Sequence, residues 1–208
     1  VSESSGPLPI TTSLLLSSLR DEQESGGWRD FHARYWPVLV GLGVHLGLRE
    51  TDAQDAAQWT LLEFLKEFRA GRYERGKGRL RSYILGIARN RIRSLRRSAS
   101  RPAQAARPMT DAHETPDDLT DAVLEAAWET ERRSAILREA WEQLRASPKL
   151  APATFLAFEL VSMRGVPAEE AARQAGITVN DVYLARHRCT KRLKELVDAI
   201  TSAWDEED

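Results

Sequence analysis

The chain has 208 residues, 42% hydrophobic and 29% charged, with a formal net charge of −1 and a mean hydropathy of −0.45, which is the composition of a globular protein with room for one medium domain or two small ones. A single cysteine, Cys189, excludes an intramolecular disulfide framework or a Cys-rich zinc site, and the four histidines (His32, His45, His113, His187) have no ligand spacing, so no metal or other cofactor is expected. No apolar run approaches the roughly 18 residues of a membrane span, and SESSGPLPITTS lacks the basic start of a signal peptide, which makes the cytoplasm the default location and leaves no membrane partner.

Helical periodicity recurs along the chain and no period-2 strand of useful length is found, so the expected fold is all-α. Residues 1–13 read as a disordered tail. Two lobes follow, at 14–97 and 121–204, separated at 98–120 by SASRPAQAARPMTDAHETPDDLT, whose three prolines and lack of core-forming residues predict a flexible linker. An acidic tail closes the chain at 205–208. A shield for the basic helix before it is the alternative use of those acids.

In the first lobe, Trp28, Phe31, Tyr35 and Leu39 fall at helical spacing as core candidates, and Gly47 closes that element. Thr51, with Gln54 three residues on, predicts a capping box at the start of the next helix. Along it Ala57, Leu61, Phe64, Leu65 and Phe68 form one apolar stripe. The opposite side carries Asp52, Asp55, Gln58, Trp59 and Leu62. The acids alone could answer the helix dipole, but an apolar pair rimmed by carboxylates has the make-up of a protein-binding patch.

Twelve basic residues and one acid, Glu74, lie between Arg69 and Arg101. Segregation on that scale in a near-neutral chain points to a polyanion; a solvated helix face is the alternative. GRYERGKG reads as a loop. From Arg79 onward Leu80, Tyr83, Ile84, Ile87, Ala88, Ile92 and Leu95 recur at helical spacing, and placing them inward predicts a ridge of Gly86, Arg89, Arg93, Arg96 and Arg97 on the far side, beside Ser82 and Asn90. With Tyr73 in the loop, phosphate-contacting charge and a stacking surface for bases come together.

In the second lobe, a short helix at 168–175, a turn at Gly176 and a longer helix from about Val179 to Leu196 form a helix-turn-helix pattern. Thr178 or Asn180 can cap the second helix. Ala171, Ala172, Ile177, Val182, Cys189, Leu193 and Leu196 would point inward. Asn180, Asp181, Tyr183, Leu184 and His187 lead the outer face, and Arg188, Lys191, Arg192 and Lys194 trail, the order expected if early turns read base edges and later turns hold phosphates. An ordinary helical hairpin is the alternative.

In this order the pieces resemble the bacterial RNA polymerase sigma factors of the extracytoplasmic-function type, which keep two domains, region 2 and region 4. TDAQDAAQWTLLEFL is similar to the region 2 helix that grips the β′ clamp helices of core polymerase, with Asp52, Asp55 and Gln58 at the family's acidic and amide positions. GKGRLRSYILGIARNRIRSLRR, with IARN at 87–90, is similar to the segment that recognises and opens the −10 element. AEEAARQAGITVNDVYLARHRCTKRLKEL is similar to region 4, which reads the −35 element. Trp59, the pair Tyr183 and Leu184, and SPKLAPATFLAFELVSMRG depart from the common pattern and leave the promoter sequence open.

The resemblance implies a non-enzymatic protein whose partners are core RNA polymerase and promoter DNA; an anti-sigma protein is common in the family, and no residue here demonstrates one. It implies polymerase contact through Asp52, Asp55, Gln58, Trp59 and Leu62. Contacts at the −10 element fall to Arg72, Tyr73, Lys77, Arg79, Arg81, Tyr83, Arg89, Asn90, Arg93, Arg96 and Arg97. Those at the −35 element fall to Asn180, Asp181, Tyr183, Leu184, His187, Arg188, Lys191 and Arg192. A self-sufficient helix-turn-helix regulator would instead need a dimerisation helix, and no heptad pattern supplies one. An adaptor would keep its function with the arginines neutralised.

Overall fold

A computed structural model describes residues 10–20, 25–74, 76, 78–104 and 119–205. Among these, regular structure is entirely helical: α1 (Thr12–Leu19), α2 (Ser25–His45), α3 (Glu50–Arg69), α4 (Leu80–Gln104), α5 (Asp121–Arg145), α6 (Pro152–Met163), α7 (Ala168–Ala175) and α8 (Val179–Asp205). The all-α expectation holds. Lys77, the tail at 1–9, the linker at 105–118 and residues 206–208 lie outside the described residues.

The described residues divide into two compact units, one of 11–135 with Asp205 and the other of Ile10 with 136–204. In the first, α2 and α3 pack side by side, and α3 also packs on α4. Phe31 stacks on Phe64 with ring centroids 5.0 Å apart, and both are fully buried with Leu61, Ile84 and Ile92; each such side chain is worth about 1.5–3 kcal/mol of burial. Trp28 is only half-buried at the margin. The Gly43 backbone lets α3 approach closely, since a Cβ there would lie 2.8 Å from that of Ala53. Gly47, at φ +87, then ends α2 as its sequence position required, with the Leu48 N–H returning to the Gly43 carbonyl at 2.9 Å.

Four details differ from the sequence reading. Helix α1 begins inside the expected tail: Thr11 Oγ1 accepts the Leu14 N–H, and Thr12, Leu15, Leu16 and Leu19 are buried. The capping box at Thr51 is not formed, because α3 starts at Glu50 after extended Arg49, which makes no side-chain cap. Helix α4 continues to Gln104, into the expected linker. Most consequentially, Leu119 and the first part of α5, to Ala135, belong to the first unit rather than the second.

In the second unit, Ala157 and Leu160 of α6 pack with Ala171 and Ala172 of α7 and Val182 and Ala185 of α8. A neighbouring cluster joins Leu144, Phe155, Phe158 and Cys189, flanked by Trp141, Leu193 and Leu196. The small side chains of α7 allow close approach. Gly176, at φ +67, supplies the left-handed cap between α7 and α8, and α8 runs past the expected end at Leu196 to Asp205.

Candidate functional site

The outer face of α3 starts from a fixed acid. Arg49 Nε and Nη2 donate to the two carboxylate oxygens of Asp52 at 2.8 and 3.2 Å, so Asp52 presents a paired carboxylate. Asp55, Gln58, Trp59 and Leu62 follow at helical spacing and are exposed, Trp59 by 40% and Leu62 by 51%. Large apolar side chains left open beside carboxylates are the unusual feature of this face. The Arg91 guanidinium of α4 lies over the Trp59 ring, 5.8 Å from its centroid.

After α3 the chain turns at Gly71, whose φ is +71. Arg72 then folds back on α3, its Nη2 donating to Glu67 Oε1 at 2.5 Å, and this bond holds the Glu67 carboxyl below the usual carboxylate range. Tyr73 sits half-buried with its ring centroid 5.3 Å from that of Tyr83, and both rings meet Phe64 edge-on. Tyr83 Oη donates to Glu67 Oε2 at 3.5 Å; burial, with the Glu67 charge second, pushes its phenol up. Aromatic faces, a carboxylate and Arg72 thus gather at one end of α3 and α4. Arg79 is exposed nearby.

The arginine ridge of α4 is open only in part, and Arg81 one turn before it is covered as well. Arg81 is 19% exposed and Arg89 24% exposed, and their partners are acids of α5. Arg81 Nε lies 3.1 Å from Glu125 Oε2, Arg81 Nη1 donates to Glu129 Oε1 at 2.6 Å, and Arg89 pairs with Asp121. Arg93 Nη2 donates to the Leu119 carbonyl at 3.5 Å. Arg96 is half-buried; Ser82, Asn90 and Arg97 are exposed. Burial of Leu85, next to Gly86, shows why: α4 has a second covered side, which a single inward face did not foresee.

On α8, Thr178 and Asp181 form a reciprocal cap. Thr178 Oγ1 accepts the Asp181 N–H at 3.1 Å, and the Asp181 carboxylate accepts from the Thr178 N–H at 3.3 Å and its hydroxyl at 2.7 Å. Thr178 is therefore the cap that the sequence left open between Thr178 and Asn180, and Asp181 is committed in part to it. Asn180, Tyr183, Leu184, His187, Arg188, Lys191 and Arg192 all lie on the exposed side, while Val182, Ala185 and Cys189 are buried. Burial pushes the Cys189 thiol up, as expected of a core residue.

Helix α3 with its exposed patch, the aromatic loop and the basic helix α4 lie in one continuous segment. Residues 31–102 match the family model for sigma-70 region 2. The match covers this segment and not the rest of the chain, and for the segment it supports the region of sigma-70 factors that carries binding of core RNA polymerase and recognition of promoter DNA. No curated protein matches the chain. Among the described residues no helix is long and apolar enough to cross a membrane, and no His, Cys, Asp and Glu side chains gather as a metal site would require.

The region 2 segment thus contains the first two groups of predicted residues. Sequence reasoning missed Arg91, which reaches Trp59 from another helix, and Glu67, which unites Arg72 and Tyr83. It also missed the α5 acids. Their spacing at 121, 125 and 129 marks one helix face, which is a signal available in the sequence, but nothing local says which helix they meet.

Proposed function

We propose that the chain is a two-domain sigma factor of the extracytoplasmic-function type, acting in the cytoplasm, in which the first unit docks on core RNA polymerase and binds the −10 element while the second binds the −35 element. The observation that carries this reading is the exposed Trp59 and Leu62 pair, rimmed by Asp52, Asp55 and Gln58, inside a segment that matches sigma-70 region 2. A face so composed fits the β′ clamp helices as partner.

At the −10 element, Tyr73 and Tyr83 would stack an unpaired base, with Arg72, Lys77, Arg79 and Arg81 around it and Arg89, Asn90, Arg93, Arg96 and Arg97 along the backbone. The second unit is supported by the α7–Gly176–α8 geometry and by the exposed side of α8. There Asn180, Asp181, Tyr183, Leu184 and His187 would face bases, and Arg188, Lys191 and Arg192 phosphates. Two weak contacts tethered on one enzyme define a promoter more sharply than either alone. Only the family resemblance speaks for an anti-sigma partner.

The test is co-elution of the purified chain with bacterial core RNA polymerase, beside an Asp52→Arg, Asp55→Arg double variant. The reading predicts a complex with the native chain that the variant loses. A native chain that fails to bind core enzyme with no inhibitor present would point instead to a self-sufficient DNA-binding regulator.

A further inference from the structure

Two of the guanidiniums that the proposed function gives to DNA, those of Arg81 and Arg89, already have anionic partners on α5 within the first unit. Asp121, Glu125 and Glu129 recur every four residues and so line one face of α5. That face meets Arg89 and Arg81, and the Leu119 carbonyl just before the helix takes a bond from Arg93. The helix is held there by more than charge: Leu124 and Trp128 are fully buried, and Glu131 lies 3.4 Å from His45 Nδ1. Three acids at regular spacing beside a line of arginines imitate the anionic face that a phosphate backbone would offer.

We infer that the α5 acids are a built-in competitor for nucleic acid, occupying Arg81 and Arg89 in the free chain so that DNA gains these contacts only by displacing carboxylates. The inference rests on the reading of α4 as a DNA-binding helix. Tethering keeps the competitor at high effective concentration, which holds the isolated chain in a state of low affinity for polyanions. Partly exposed ion pairs are individually weak, so a DNA strand presented on the polymerase can replace them. Asp121, 85% exposed, is the first that would yield.

The experiment measures anisotropy of a short fluorescein-labelled single-stranded DNA of mixed sequence with the full chain at low salt. The variant Asp121→Asn, Glu125→Gln, Glu129→Gln should bind about tenfold tighter than the native chain and show a steeper loss of affinity with salt, by about 0.7 in log–log slope per recovered phosphate contact. A charge-matched control, Asp30→Asn, Glu50→Gln, Glu142→Gln, removes three exposed acids elsewhere and should gain no more than about threefold from net charge alone. Equal affinities for the two triple variants would overturn the competition.

Adding Arg81→Ala and Arg89→Ala, the two arginines that meet the α5 acids, to the open variant should erase its gain. A gain that survived would mean that DNA does not use α4, which sinks the underlying reading rather than the competition alone. Asp121→Asn by itself, at an exposed position that cannot unfold the unit, should give a gain of about two- to threefold. No gain there counts against the proposal.

Discussion

Trp128 of α5 stacks near Tyr35 of α2, with ring centroids 6.2 Å apart and an interplanar angle of 29°, and is 1% exposed. An aromatic side chain buried to that degree makes the first part of α5 structural to the first unit. Trp128→Ala should therefore destabilise that unit by about 3–5 kcal/mol, read as a lower urea midpoint in far-UV circular dichroism.

Two glycines of α2 should behave oppositely. At Gly43 an added methyl meets the Ala53 side chain at 2.8 Å and its Cα at 3.1 Å, so Gly43→Ala forces α2 and α3 apart. The cost is about 1–3 kcal/mol of overpacking, which outweighs the gain of about 1 kcal/mol in helix propensity. At Gly41 the obstacle is the end of the Glu131 side chain, which can rotate away, so Gly41→Ala should be neutral or mildly stabilising. Paired thermal melts decide the contrast.

Trp59→Ala tests whether an exposed aromatic serves binding. Because Trp59 is 40% exposed, its loss should change folding stability by no more than about 0.5 kcal/mol. Affinity for core polymerase should fall about 30-fold, about 2 kcal/mol, as for an interface anchor. A fluorescence competition titration against the native chain measures it.

The reciprocal cap on α8 makes Thr178→Ala a local probe of the second unit. Removing the hydroxyl costs the Asp181 N–H its acceptor and the carboxylate one of its donors, a loss of about 1 kcal/mol. Hydrogen exchange in the first turns of α8 should quicken, with α2 and α3 unchanged.

Tyr83 gives a pH signature. Its folded pKa lies above the usual value of 10.0, through burial first and the Glu67 charge second. The folded chain thus keeps the proton longer than the unfolded one, so Tyr83's contribution to stability is fully present below pH 10.0 and is lost as pH rises through the folded value. Glu67→Gln should bring the late phenol titration downward, followed by ultraviolet absorbance of the phenolate.

Local patterns in the sequence carried the helices well. Of the stripe Ala57, Leu61, Phe64, Leu65 and Phe68, all but Leu65, which is half-buried, are buried as the spacing required, and Gly176 takes the left-handed conformation that only its missing Cβ makes easy. Start signals were less secure: Thr51 and Gln54 satisfy a capping pattern, yet the N-cap falls two residues earlier, at Arg49, and leaves it unused. The partner of a helix face was least legible. Arg89 and Arg93 look like part of an open ridge by periodicity, yet Arg89 meets Asp121 of α5 and Arg93 the Leu119 carbonyl 26 residues away, while Arg81 meets Glu129 48 residues along the chain. Such pairings depend on tertiary approach, which periodicity does not encode.

The partly covered ridge of α4 also bears on how the chain would be distributed in a cell. A chromosome offers about 10⁶–10⁹ non-specific sites, and a basic helix left open would be drained onto that reservoir by mass action. On the competition proposed above, the chain is poor cargo for bulk DNA and so stays available to the enzyme. The weak grip that looks like a defect in the isolated protein would then set its traffic.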